Sequence, residues 1–412
     1  MPTFQAPKGT FDVLPPASAR YERLVGRFAR LVERAGYGLV VSPMFEDIGV
    51  FRRVGESTDI VRKEMFDFED KGGRHVALRP EGTASVVRAF AEHGPPAPFK
   101  AWYVAPHFRH ERPQAGRFRQ HHQVGVEALG SHDPDLDAEV ISLAWQLFCE
   151  LGLTRVRLRL TSLGDDTCRP AYREELLAYL RERRDQLCDE HRDRIEDNPL
   201  RVLDCKRDAC RTATADAPRM LDRLCEACSA HFERVKAGLD ALGVPYHLDP
   251  SLVRGLDYYT RTTFEFEAGA LESAQNGAGG GGRYDGLVEA MGGPPTPGIG
   301  FGLGIERILL ACDAEGVFPV PDAVLDVFVV DTTGGETARD LTAGLRAAGV
   351  RADRAWDDRS WKSQMKTAMR STAALAVVVE PEQITIRTLR EKGEAETVDR
   401  EKVVDRVRER LS

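Results

Sequence analysis

No stretch of about 18 uncharged apolar residues occurs in the 412-residue chain, so no membrane-spanning helix is expected. The opening "MPTFQAPKGTFDVLPP" places no basic stretch ahead of an apolar run, so it does not read as a secretory signal. A cytoplasmic location is expected. Phosphate-binding motifs are scarce as well. No GxxxxGK occurs, and "GIGFGLGIERILLAC" at 298–312 does not satisfy GxGxxG, so neither a P-loop nor a dinucleotide fold finds support there. A basic excess is also lacking: 57 Lys and Arg face 65 Asp and Glu, a formal charge of −8. That argues against a general nucleic-acid coat but leaves room for a local basic groove, because screening confines each field to about 10 Å.

Cysteine is sparse, with eight in the chain, which does not read as a disulfide scaffold. Cys149, Cys168, Cys188 and Cys312 lie scattered and are expected as buried free thiols. Cys205 and Cys210 in "CKRDAC", and Cys225 and Cys228 in "LCEAC", fall in one short region. A CxxxxC followed by a CxxC could make one tetrahedral thiolate site for zinc. Four reduced structural thiols fit the spacing equally well.

What is present is ample apolar content, 42% of residues, enough for the two or three domains that this length implies. "SARYERLVGRFARLVERAGY" has apolar residues at helical spacing, and "TRVRLRL" alternates Arg155, Arg157 and Arg159 against Val156, Leu158 and Leu160 as a half-buried strand does. An antiparallel sheet follows. From 170 to 248 the chain turns helical and charge-rich, an insertion between two halves of one sheet. Strand and glycine-rich signals resume through residue 312, and "EGVFPVPDAV" is a linker. From 323 to 412, strands "LDVFVV", "ALAVVV" and "ITIRTL" alternate with helical stretches, which implies a small α/β domain. The fold class expected is α+β: a unit over 1–320 containing the insertion, then the α/β unit.

Four stretches carry chemistry. "FRHERPQAGRFRQHHQVGVE" at 108–127 packs arginines and histidines around Pro113 and Gly116 in a hairpin pattern suited to a polyanion. On its returning strand Gln123, Gly125 and Glu127 share one face, either a pocket floor or a solvated hairpin. In 298–312 a glycine-alternating strand enters a helix bearing Arg307, and such a strand permits close approach of a flat ligand such as a nucleobase. "ALRPEGTASVVRAF" sets Glu81 and Thr83 before a helix, with Thr83 expected as its cap. "LVRGLDYYTRTTFE" sets Arg254 beside Tyr258 and Tyr259, whereas "NGAGGGGRYDGL" taken alone is a flexible loop.

Taken in this order, these stretches closely resemble the histidyl-tRNA synthetases, a family of class II aminoacyl-tRNA synthetases, over nearly the whole chain. "RAGYGLVVSPMFED" is similar to the first class motif, a helix and strand ending at Pro43 at a dimer interface. "FRHERPQ" with its returning strand is similar to the second and "GFGLGIER" to the third. "LVRGLDYYTRTTFE" and "GGGRYDGL" resemble signatures of the histidine-specific branch. The implied fold is an antiparallel-sheet catalytic domain with a helical insertion, followed by an anticodon-binding α/β domain.

The resemblance implies a homodimer that joins L-histidine to tRNA(His) at the expense of ATP, with Mg2+. Histidine would be held by Glu81, Thr83 and Gln123 at its backbone end and by Glu127 and Tyr259 at the imidazole, with Tyr258 beside them. Arg109 would contact the α-phosphate and carboxylate, Arg307 would lie over adenine near the γ-phosphate, and Glu111 would meet the adenine amino group. Arg254 would be a fixed cation opposite the α-phosphate. Arg112 and Gln114 would approach the tRNA acceptor end. The family usually stacks phenylalanine on adenine where this chain has His121, whose smaller ring bears on adenine affinity. In one regular strand over 254–259, Tyr258 rather than Tyr259 would share a face with Arg254, so a bend at Gly255 is required. The synthetase-like regulatory subunit of ATP phosphoribosyltransferase is an alternative on the same catalytic fold. It typically lacks the anticodon domain and has degraded adenylation motifs, whereas "RGLDYY", "FRHERP" and "GIER" are intact here.

Overall fold

A computed structural model describes residues 4–55, 58, 60–112, 116–271, 276–321, 325–357, 359–390 and 395–411. The chain divides into two compact units, one of Met1–Val13 and Tyr21–Pro319, the other of Leu14–Arg20 and Val320–Ser412. Among the described residues no helix is long and apolar enough to cross a membrane.

The first unit is organised by an eight-stranded sheet. In chain order its strands are β1 (Gly38–Leu39), β2 (Phe99–Phe108), β3 (Gln120–Leu129), β4 (Val156–Ser162), β5 (His247–Leu248), β6 (Thr260–Ala268), β7 (Gly277–Arg283) and β8 (Gly298–Gly304). They lie side by side as β1-β2-β3-β8-β7-β6-β4-β5, with antiparallel ladders throughout the middle and short parallel pairs at the two edges. Period-two alternation gives the sheet two different faces. One face carries Val124, Val126, Phe264, Phe266, Ile299 and Phe301 into the main core. Leu24 and Phe28 of helix Ala17–Arg34, Ile141 and Phe148 of helix Pro134–Glu150, and Phe232 and Val235 of helix Glu226–Ala241 pack in the same core. The other face carries the candidate site.

Two expectations differ from what the structure holds. The glycine run at 277–282 is a strand at the centre of the sheet, because missing Cβ atoms let neighbouring backbone approach closely. The charge-rich stretch from 170 to 248 is divided: Tyr172, Leu176, Val202, Cys210 and Met220 form a separate small core, whereas Phe232, Val235 and Leu239 join the main one.

The second unit is a five-stranded mixed sheet. Its strands Val327–Asp331 and Leu375–Val379 are buried along their whole length and pair in parallel. Val327, Val329 and Val377 face one apolar cluster and Phe328, Val330 and Val378 the opposite one, which explains their unbroken apolar runs.

A Cβ at Gly281 would fall 1.9 Å from the Gly300 carbonyl oxygen, whereas one at Gly286 would meet nothing within 4 Å. Gly281→Ala is therefore expected to lower stability by about 1–3 kcal/mol or more, and Gly286→Ala to change it little. Urea midpoints of the two variants check this. Equal midpoints would show that β7 and β8 can spread at no cost.

Candidate active site

The site face is built on glycine. Glu127, Gly125 and Gln123 on β3 stand opposite Gly300, Gly302 and Gly304 on β8, and Gly300 and Gly302 stand opposite Gly282 and Gly280 on β7. A Cβ at Gly300 would fall 1.9 Å from Glu127 Oε2, and one at Gly302 would fall 2.9 Å from Gln123 Oε1. On β7 a Cβ at Gly280 would meet Arg254 Nη1 and one at Gly282 would meet Tyr259, both at 2.9 Å. Bare strands thus let a carboxylate, an amide, a guanidinium and a phenol lie almost on the backbone.

Arg254 precedes β6 in irregular chain. Its Nη1 donates to Glu265 Oε2 at 2.8 Å, its guanidinium lies 5.8 Å from the Tyr259 ring centroid, and its buried Nε has no hydrogen-bond partner among the described residues. The parity problem at the tyrosines is resolved without a regular strand. Residues 254–259 lie outside β6 and bend at Gly255 and Leu256, so strand parity does not govern them; the register shift next to Arg261, whose φ is +48°, comes after both tyrosines. Tyr259 consequently faces the cavity, and Tyr258 packs against it with ring centroids 4.5 Å apart.

A cavity of about 950 Å³ opens over this floor, lined by Arg109, His121, Gln123, Arg254, Tyr259 and Arg307 among others. Lys and Arg outnumber carboxylates around it, and Arg201, Lys206, Arg211 and Arg219 on one wall come from the charge-rich stretch. An acidic protein therefore carries a local basic hollow. Arg109 Nε donates to the Pro80 carbonyl at 2.9 Å, and Arg307 Nε donates to the Gly116 carbonyl at 3.1 Å. Glu111 pairs with Arg117 at 3.4 Å. Burial, then Arg109 and Arg307, pushes the His121 ring down to about 3, so it is a neutral flat surface at pH 7. Arg112 is exposed, and Gln114 lies outside the described residues.

Glu81, Thr83 and Glu127 are buried off the cavity wall, and the half-buried Tyr258 does not line it either. Glu127 is fully buried; its oxygens accept from Thr83 Oγ1 at 2.7 Å and Tyr284 Oη at 2.5 Å. Burial lifts its carboxyl to about 8 in spite of these donors. The helix Thr83–His93 is not capped by Thr83. Glu81 does that instead, accepting from the backbone amides of Thr83 at 2.8 Å and Ala84 at 2.7 Å, which leaves the threonine hydroxyl to hold Glu127. Burial raises the Glu81 carboxyl, opposed by those amides and by Arg109.

Sequence reasoning missed Tyr284 and Glu265. Both had a signal: Tyr284 follows the glycine run, and Glu265 alternates with Phe264 and Phe266 at strand spacing. The cysteine grouping needs correction. Cys205 and Cys210 lie with Cys188 and His191, whereas Cys225 and Cys228 lie with Asp165 and Cys168, so the expected four thiols are not one site. Cys168 and Cys188, expected as isolated thiols, belong to these clusters, and Cys149 is exposed rather than buried. The segments fold back onto partners from upstream.

Two family models match the chain, histidyl-tRNA synthetase over residues 9–308 and anticodon binding domain over 323–410. A curated histidine–tRNA ligase of Rhodococcus erythropolis is 52% identical over 417 residues, covering 98% of this chain and 97% of its own. The crystal structure of apo S. aureus histidyl-tRNA synthetase matches with TM-score 0.82 and 36% identity, covering 98% of this chain and all of the other. A Bacillus halodurans structure titled ATP phosphoribosyltransferase regulatory subunit/histidyl-tRNA synthetase matches with TM-score 0.67 at 20% identity, covering 92% and 100% of the two chains, a likeness of fold alone. Through the family model that spans its larger unit and a relative that covers nearly its full length, this chain belongs to the histidyl-tRNA synthetase family.

Proposed function

We infer that the chain is a histidine–tRNA ligase: it activates L-histidine with ATP to histidyl-adenylate and transfers the histidyl group to the 3′ end of tRNA(His). The observation that carries this is the meeting of Arg109, Arg254 and Arg307 in one cavity with Gln123 and Tyr259. In the first step a histidine carboxylate oxygen bonds to the α-phosphorus as the bond to the β-phosphate oxygen breaks, and pyrophosphate leaves with that electron pair. Charge on the phosphate oxygens is met by cations already in place, which need no reorganisation at the moment of reaction. Arg254, oriented by Glu265, faces the α-phosphate; Arg109 spans carboxylate and α-phosphate; Arg307 covers adenine near the γ-phosphate. Glu111 accepts from the adenine amino group and the neutral His121 ring stacks nearby.

In the binding of histidine, Glu81 accepts from the ammonium, with Thr83 and Gln123 beside it. Glu127 and Tyr259 take the two ring nitrogens, which rejects apolar amino acids because those would leave buried polar groups unpaired. Glu127 is fully enclosed, so histidine reaches it only as the Tyr258–Tyr259 segment turns aside; the absence of regular structure over 254–259 supports such movement. Glu265 and Glu267 line the cavity with carboxylate oxygens, and they would hold Mg2+ together with substrate phosphates. With ATP the ion would neutralise β- and γ-phosphate charge.

In the second step the terminal ribose hydroxyl of the tRNA attacks the acyl carbon and AMP leaves. Arg112 and Gln114 approach the acceptor end, residues 1–320 act as the catalytic domain with the 170–248 insertion, and 323–412 read exposed anticodon bases. We place the enzyme in the cytoplasm as a homodimer. Exposed Val41, Met44 and Phe45, which are 85%, 52% and 54% accessible in the first class motif, support an interface there.

Purified protein is expected to exchange labelled pyrophosphate into ATP only when histidine is present; no exchange, together with binding to a phosphoribosyltransferase, would favour the regulatory subunit. Arg254→Ala should lower adenylation about 10²–10³-fold with a much smaller change in histidine Kd, because its charge is needed chiefly in the transition state. Equal losses in both would remove it from that role.

A third expectation concerns Glu127. An unfolded chain ionises this carboxyl near 4.5 and the folded protein near 8, so the folded state binds the extra proton in that window and this group's contribution to stability falls as pH rises through it. Glu127→Gln should therefore raise the melting temperature of the unliganded protein at pH 8 by about 2–4 °C, with little change near pH 5, while abolishing histidine-dependent exchange. A variant no more stable than the parent at pH 8 would contradict the sign.

A further inference from the structure

The cluster of Cys188, His191, Cys205 and Cys210 lies outside the chemistry above, and its partners come from three short pieces of chain. Cys188 precedes helix Asp189–Arg192, Cys205 follows helix Leu200–Leu203, and Cys210 lies in helix Asp208–Ala213. These helices have 4, 4 and 6 residues, too short to be stable by themselves, and Cys188, Val202, Leu203, Cys210 and Ala213 in or beside them share one small apolar core. A small unit of this kind commonly needs a staple.

We propose that Cys188, His191, Cys205 and Cys210 form a zinc site that staples this part of the first unit. The four ligand atoms all lie within 4.8 Å of one another. Cys188 Sγ is 3.1 Å from His191 Nδ1 and 4.0 Å from Cys205 Sγ, and Cys210 Sγ is 4.0 Å from His191 Nδ1. Four tetrahedral ligands at ordinary zinc bond lengths stand about 3.5–3.8 Å apart, so even the widest pair has only about 1 Å to close on one ion. A disulfide is not what gathers them, since the 4.0 Å between Cys188 and Cys205 is about twice a sulfur–sulfur bond and Cys188, Cys205 and Cys210 are all outside any disulfide. Three thiolates and one imidazole are a closed donor set without room for water, which makes the site structural rather than catalytic. The second cluster differs. Its fourth donor is Asp165, whose Oδ2 is already paired with Arg261 at 3.1 Å, and the proposal does not extend to it.

The consequence reaches the cavity. Asp204, Cys205, Lys206 and Arg211 line one of its walls and are part of, or adjacent to, the stapled segment. Zinc would fix the side chains of that wall without touching the reacting atoms.

Elemental analysis of the full chain, purified under reducing conditions without chelator, tests the assignment. At least one zinc per chain is expected, with His191→Ala and Cys205→Ser each losing one equivalent. Substitution with cobalt should give the visible bands of a tetrahedral ion with thiolate charge transfer. If the alanine and serine variants fail to fold, His191→Cys remains informative: it should keep its metal, and the charge-transfer intensity should rise by about a third as three thiolates become four. Zinc content equal to the parent's in His191→Ala or Cys205→Ser, a charge-transfer band unaltered in His191→Cys, or no metal and no tetrahedral cobalt spectrum in the parent would overturn the proposal.

Discussion

Everything at this site depends on the missing Cβ atoms of two central strands. Without Gly280 and Gly282 on β7, Arg254 and Tyr259 could not lie on the sheet, and without Gly300 on β8 the Glu127 carboxylate would have no space. Glycine in a strand interior weakens it through backbone entropy and lost side-chain packing. The opposite face offsets that loss. Phe264, Phe266 and Phe301 are fully or almost fully buried there, and at the end of β7 the buried Arg283 is paired with Asp137 and Asp285. The strands can be bare on one side because the other is densely packed.

The same arrangement produces two electrostatic environments a few residues apart. Toward solvent, Arg109, Arg254 and Arg307 face a hollow in which cations outnumber carboxylates, a setting for phosphate. Off that wall, Glu127 and Glu81 are buried with Tyr103 and Tyr284, and burial makes the carboxyls harder to ionise. A ligand with an anionic end and a ring bearing two polar nitrogens fits that pair of environments. Glu265 belongs to both arguments: by holding Arg254 it sets the cation's position before any phosphate arrives.

Much of this was legible in the chain. The alternation over 156–160, the hairpin around Gly116 and the glycine-alternating entry into the helix of Arg307 each follow from a local periodicity, and each is present. The glycine run was not legible as a strand, since glycine has no strand propensity and only close approach of neighbours gives it one. The bend at Gly255 that Tyr259 required is present, whereas the register shift beside Arg261 leaves no trace in the alternation of the strand. The cysteines misled for a related reason. Sequence proximity favours joining 205–210 to 225–228, but short helices reverse the chain between them and supply Cys188, His191, Asp165 and Cys168 from farther away.

Fold likeness alone could not separate ligase from regulator, since a structure titled with both names shares the architecture at 20% identity. The difference lies in side chains. Binding a ligand needs only a pocket, whereas moving a phosphoryl-linked bond also needs cations held against the place where charge shifts. Arg254 is costly for a binding protein to keep: its guanidinium is mostly enclosed, pressed against bare strand, and its Nε is without a partner among the described residues. An anion brought to the cavity side of that guanidinium would accept from its outward Nη–H groups and offset part of the cost, which is why a cation so placed argues for chemistry on phosphate rather than for recognition alone.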